Sequence, residues 1–123
     1  MKQTFGQRLR ELRKTLSMTQ RELSERVAGR LKDRGFDVTY LSKIENGRLP
    51  PPSTKTIIAL AAVLDVDSDE LLALAGKVPP DLGETLKRSE AARMFYRSAR
   101  DRGLTEEDWK KLQQQLERAK KGK

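Results

Sequence analysis

The chain has 123 residues, 36% hydrophobic and 36% charged, with no cysteine, no histidine and a net charge of +8. Disulfides, Cys/His zinc sites and Ser-His or Cys-His nucleophilic pairs are therefore excluded, and the length suits one compact domain with an appendage. The excess of cations favours a polyanionic partner, nucleic acid or an anionic membrane surface, but the longest apolar run, Ile57–Leu64, is far too short to span a bilayer.

The first helix is predicted from a capping box of Thr4 and Gln7, with Phe5, Leu9, Leu12 and Leu16 recurring as one buried stripe. The opening M-K-Q-T-F-G-Q-R lacks the apolar core of a secretion signal, so a soluble cytoplasmic protein is expected. Thr19 and Glu22 form a second capping box ahead of an apolar edge of Leu23, Val27 and Leu31. That edge predicts a second helix extending to Arg34, with Gly35 as its stop, although Gly29 within it costs about 1 kcal/mol relative to Ala.

The most informative stretch is V-T-Y-L-S-K-I-E-N-G, from Val38 to Gly47. Asp37 is the expected N-cap of a short third helix. Leu41 and Ile44, three apart, give it one buried edge. Val38, Thr39, Ser42 and Lys43 fall on the other side, and Asn46-Gly47 supplies a left-handed stop. A short helix anchored on one edge, with small, β-branched and basic side chains on the other, is what a DNA major groove accepts.

Pro50-Pro51-Pro52 then makes a stiff connector that cannot continue a helix. Ser53 caps a fourth helix with Ile57, Leu60, Ala61 and Leu64 facing inward. Asp67 and Glu70 are expected to cap a fifth, carrying Leu71, Leu72 and Leu74. Gly76 and Pro79-Pro80 mark a boundary that divides the chain into residues 1–76 and 77–123.

Beyond the boundary, Asp81 and Glu84 predict a short helix ending near Arg88. Ser89 caps a longer one with Ala92, Phe95, Tyr96 and Ala99 on one face and Gly103 as its stop. Thr105 and Asp108 cap a last helix with Trp109, Leu112 and Leu116 on one side. The final K-K-G-K is expected to fray. With no strand signal or internal repeat, the fold class is all-α. Charge is segregated along this order: residues 1–48 hold 12 Lys and Arg against 6 Asp and Glu, residues 49–76 are net −3, and residues 77–123 are net +5.

Four motifs carry a family resemblance: F-G-Q-R-L-R-E-L-R (Phe5–Arg13), M-T-Q-R-E-L-S (Met18–Ser24), Y-L-S-K-I-E-N-G (Tyr40–Gly47) and P-S-T-K-T-I-I-A-L-A-A-V-L-D-V (Pro52–Val66). From Phe5 to Ala75 the chain resembles the lambda-repressor/Cro-like (XRE-type) helix-turn-helix regulators. The resemblance implies a five-helix DNA-binding domain followed by a small helical C-terminal module. In such domains the second helix grips the DNA backbone and the third reads bases. Carried over residue by residue, Val38, Thr39 and Lys43 contact bases. Lys43 would donate to guanine O6 or N7, and Val38 and the Thr39 methyl would pack on a thymine methyl. Thr19, Gln20, Ser42 and Asn46 contact phosphates, the start of the second helix being favourable to an anion. An Arg13–Glu45 pair inside the domain is implied as well. The departure lies between Val27 and Asp37, where the family's turn is shorter. Arg26, Arg30 and Arg34, four apart, form a basic row there that either touches phosphate beside the groove or is simply solvated.

The expected function is sequence-specific regulation of transcription by a dimeric repressor, reading a palindromic operator in double-stranded DNA through residues 37–46. The alternative is an antitoxin or adaptor-type interaction module whose C-terminal helices bind a partner protein. Phe95, Tyr96, Trp109, Leu112 and Leu116 are the expected dimer or partner interface, because each C-terminal helix has a single apolar face that needs cover. That cover is either the body of the domain or a second subunit, and the second subunit is favoured. The chain is similar to repressors whose C-terminal helices hold the dimer and are the target of a partner protein, in some a metallopeptidase. No cofactor, metal or catalytic activity is expected; Asp67, Asp69 and Glu70 sit where a helix N-terminus favours acids in any case.

Overall fold

In the computed structural model, residues 3–121 are described, with side chains through Ala119. These residues form eight helices and no strand: α1 (Phe5–Thr15), α2 (Gln20–Leu31), α3 (Val38–Glu45), α4 (Thr54–Leu64), α5 (Ser68–Leu74), α6 (Pro80–Arg88), α7 (Glu90–Arg102) and α8 (Glu106–Lys121). The chain divides into two compact units, Met1–Pro80 and Asp81–Lys123. Among the described residues no helix is long and apolar enough to cross a membrane.

Local sequence signals set most helix starts. Thr4 and Gln7 form a reciprocal capping box, with the Thr4 hydroxyl accepting from the Gln7 N–H at 3.1 Å and the Gln7 carbonyl accepting from the Thr4 N–H at 2.9 Å. Thr19 and Glu22 do the same for α2. Each box satisfies two backbone donors that a helix start leaves open. Asp37 caps α3 through the Tyr40 N–H at 2.9 Å, and Ser53 caps α4. At α5 the cap is Asp67 alone, accepting from the Asp69 N–H. Glu70 instead reaches α1, where its carboxylate accepts from Arg8 Nε at 3.0 Å.

The first unit has a continuous core. Leu9, Leu23, Val27, Leu41, Ile57, Leu60, Leu71 and Leu72 are fully buried, each worth about 1.5–3 kcal/mol relative to exposure. Through them α2 packs on α3 and α4, α4 on α5, and α1 on α3 and α5. Leu16 departs from its expected place in the α1 stripe and is 46% exposed. The helix ends at Thr15, and the chain reverses at Ser17 with φ 54°. Met18 takes the buried position in its stead.

The second departure is the α2–α3 connection. The second helix does not reach Arg34. Lys32 adopts the left-handed conformation (φ 56°, ψ 42°) and closes α2 at Leu31, its N–H donating to the Ala28 carbonyl. Gly35 is not the stop; its N–H donates to the Asp33 carboxylate at 2.8 Å, a side-chain turn. Phe36 then dives into the core, 3% exposed, and meets Tyr40 edge-on at 5.4 Å between ring centroids. Arg34 thus leaves the helix, and only Arg26 and Arg30 of the expected row stand on α2.

In the second unit Ser89 caps α7, Gly103 ends it with φ 61°, and Thr105 and Asp108 cap α8 reciprocally. Arg93 of α7 donates to the Leu86 and Lys87 carbonyls at 2.7 and 3.0 Å, satisfying the open end of α6. Ala99 is the only buried hydrophobic residue of this unit among the described residues, while Leu82, Met94, Phe95, Tyr96, Trp109 and Leu116 are exposed. The helix α8 continues through Lys121, so Lys120 and Lys121 of the K-K-G-K tail are helical; Gly122 and Lys123 lie outside the described residues.

Candidate nucleic-acid interface

The third helix is fixed from below by contact with α1. Leu41 and Ile44 are buried, at 0% and 2% exposure. Gly6 lets the two backbones touch: a Cβ there would lie 2.5 Å from the Ile44 carbonyl oxygen and 2.6 Å from that of Glu45. At the end of α3, Glu45 turns inward, its side chain wholly buried. Arg13 grips it with two parallel bonds, Nε to Oε2 at 2.8 Å and Nη2 to Oε1 at 2.9 Å. The remaining arm of Arg13 donates to the Met18 carbonyl at 2.9 Å. Burial alone would raise the Glu45 pKa. Hydrogen bonds from Arg13, Gln20 and Arg10, with the Arg13 charge, outweigh it and hold the carboxyl below its ordinary value. The same carboxylate raises the Arg13 pKa against the opposing effect of burial. The pair expected inside the domain is therefore present, buried and ionised.

The opposite side of α3 faces outward. Thr39 and Lys43 are exposed, and Val38 and Ser42 are half-buried. Lys43 enters no ion pair among the described residues, so its ammonium is available to an external acceptor. The helix is closed at its far end by Gly47 at φ 75° and by the Arg48 and Leu49 N–H groups, which donate to the Lys43 carbonyl.

The four residues expected to contact phosphate have more specific placements. The Thr19 hydroxyl is spent on the α2 cap. Gln20 Nε2 donates to Glu45 Oε1 at 3.0 Å. Asn46 Oδ1 accepts from Arg10 Nη2 at 2.6 Å, and Asn46 Nδ2 donates to Ser42 Oγ at 3.4 Å. Gln20, Ser42 and Asn46 are thus brought into one network with Arg10, which sequence reasoning passed over. Its signal was available: Arg10 stands three residues before Arg13, on the same face of α1.

The residues expected at a dimer or partner interface lie in the second unit. Phe95, Tyr96, Trp109 and Leu116 are 45–58% exposed, and Leu112 is half-buried. Phe95 and Leu112 join Ala99 and Leu104 around a concavity of about 340 Å³. Arg100 stands over the Tyr96 ring at 5.8 Å, a cation–π contact.

A model of the helix-turn-helix domain family matches residues 4–74, more than half of the chain. The chain belongs to the XRE-type helix-turn-helix regulators, proteins that bind DNA and control transcription. It is 35% identical over 102 residues to the uncharacterized HTH-type transcriptional regulator RghRB of Bacillus subtilis (strain 168), across 80% of this chain and 68% of that one. No solved structure matches it.

Proposed function

We propose that the protein is a dimeric repressor that reads a palindromic operator with α3, residues 1–76 binding DNA and residues 77–123 joining the subunits. The observation that carries this reading is the two-sided build of α3. Its inner edge is locked by Leu41, Ile44 and Glu45, while Thr39 and Lys43 stand free on the outer edge. A helix fixed in this way presents its side chains to base edges without first having to be ordered. Val38, Thr39 and Lys43 read bases, and Thr19, Gln20, Ser42 and Asn46 face the backbone. Selection of bound duplexes from random DNA tests the reading by yielding an inverted repeat. Lys43→Ala should then lose about 1–3 kcal/mol on the selected site and relax one base position in each half. Equal affinity of the two proteins for every single-base variant would remove Lys43 from the reading set.

The exposed apolar residues of α7 and α8 support a second reading, in which this unit docks a partner protein as antitoxins and adaptors do. It is separated from the first by whether the chain alone is a dimer.

A further inference from the structure

Around Glu45, side chains from three helices are held in a fixed arrangement whose charges do not cancel. The carboxylate is already matched by the two-pronged Arg13. Arg10 adds a second guanidinium, 43% exposed, with Nε 3.5 Å from Glu45 Oε1 and Nη2 2.6 Å from Asn46 Oδ1. Glu45 therefore faces two cations, and one positive charge is left over at the surface. The amides beside it are oriented without ambiguity. A carboxylate only accepts, so Gln20 must turn its NH₂ toward Glu45; a guanidinium only donates, so Asn46 must turn its oxygen toward Arg10. What remains unused is one N–H of Gln20 Nε2, one of Asn46 Nδ2 and the outer N–H groups of Arg10. These are donors beside a surplus cation, which suits a phosphate oxygen.

We infer that Arg10, Gln20 and Asn46 form a single phosphate seat suspended from Glu45, with Arg10 supplying its charge. This rests on the DNA-binding reading of α2 and α3 and adds α1 to it. Glu45 acts as the positioning residue: one buried carboxylate sets Gln20 from α2 and Arg10 from α1, and Arg10 in turn sets Asn46 at the end of α3. The contact is blind to sequence, because only the backbone is touched. Arg10 also lies near the C-terminal end of α3, where a cation is favoured by the helix dipole. That role affects stability and leaves the salt dependence of DNA binding unchanged, so the two are separable.

The test measures binding of the full chain to one selected duplex and one arbitrary duplex by fluorescence anisotropy between 50 and 300 mM salt, at about five concentrations. Arg10→Gln should weaken both duplexes alike and reduce the slope of log K against log salt by about 0.9. Arg10→Lys, which keeps the charge and loses the fork, should keep the wild-type slope and bind with intermediate affinity. Asn46→Asp neutralises the surplus charge without touching Arg10 and should lower the slope as Arg10→Gln does, so the inference stays testable if Arg10→Gln fails to fold. Arg8→Gln is the control, since Arg8 is engaged by Glu11 and Glu70; its slope should match wild type. An unchanged slope in Arg10→Gln or Asn46→Asp, with the wild type binding normally, overturns the seat alone. A wild type with no salt dependence overturns the seat together with the DNA-contact reading beneath it.

Discussion

At the scale of single residues, Glu45 and Gly6 decide how firmly α3 is presented. Glu45→Gln leaves the Arg13 guanidinium buried against a neutral partner. The cost of orphaning one member of such a pair is about 3–5 kcal/mol, and the lower end applies because Gln still accepts one bond. Urea titration at neutral pH should show about 3 kcal/mol. Because the folded Glu45 pKa is depressed, its stabilisation is complete above the unfolded value near 4.5 and is lost as pH falls through the folded value. The gap between wild type and Glu45→Gln should therefore narrow below about pH 4.5; a gap constant from pH 7 to pH 3 would show that folding does not lower the Glu45 pKa. Gly6→Ala tests the close approach of α1 and α3. Ala is the better helix former by about 1 kcal/mol, but its Cβ would meet two backbone carbonyls at 2.5 and 2.6 Å. The backbone must shift, at about 1–3 kcal/mol, so the net change should be a loss of stability together with weaker DNA binding. A Gly6→Ala protein as stable and as active as wild type would mean that α3 does not need this contact. The Arg13–Glu45 pair reached the sequence analysis through four matching motifs. Gly6 did not, because what gives it importance is the backbone of Ile44 and Glu45, far along the chain; the place of Arg10 on the Arg13 face was legible, but its role needs Glu45 beside it.

Among the elements, the α2–α3 turn holds the most that the sequence left unread. Helix starts were legible because capping is local: Thr4 with Gln7, Thr19 with Glu22, and Thr105 with Asp108 each lie within one turn and each forms both expected bonds. The end of α2 was not. The Leu23–Val27–Leu31 stripe runs on in helical period, and the residue that stops it is a left-handed Lys32 rather than a glycine. Helix propensity gives no warning of a lysine in that conformation. What makes the turn worthwhile is Phe36, which belongs to no periodic stripe and is nonetheless 3% exposed. Packed against Tyr40, it pins the chain immediately before α3. Phe36→Ala should cost about 3–5 kcal/mol, seen as a lower urea midpoint with unchanged slope. It should also weaken specific DNA binding more than non-specific binding, since the start of α3 loses its anchor. A loss of stability below 1 kcal/mol would show that the turn holds itself without the ring.

For the whole molecule, the two units differ in what they need. The first buries a core that runs from Phe5 to Leu72 and is complete within itself. The second buries only Ala99 among its described hydrophobic residues, and helices of 9, 13 and 16 residues are marginal in water without packing on an apolar face. Its order therefore depends on covering Phe95, Tyr96, Trp109 and Leu116. A second copy is the economical cover for a DNA reader, because one recognition helix spans only a few base pairs and a palindrome offers two half-sites about 34 Å apart. Leu116 is the most informative position to change: at 58% exposure it packs little within its own chain, so its replacement acts mainly on whatever covers it. If the proposed dimer joins through this face, Leu116→Glu would bury a charge on each side of the contact, against the desolvation cost of an unpaired carboxylate. Light scattering at micromolar concentration should then give the mass of one chain where wild type gives two. Binding to an inverted repeat should fall to that of an isolated half-site, while far-ultraviolet circular dichroism of the first unit's helices persists. If Leu116→Glu keeps the wild-type mass and the wild-type affinity for the repeat, the α8 face does not join the subunits, and its exposed residues belong to a different partner.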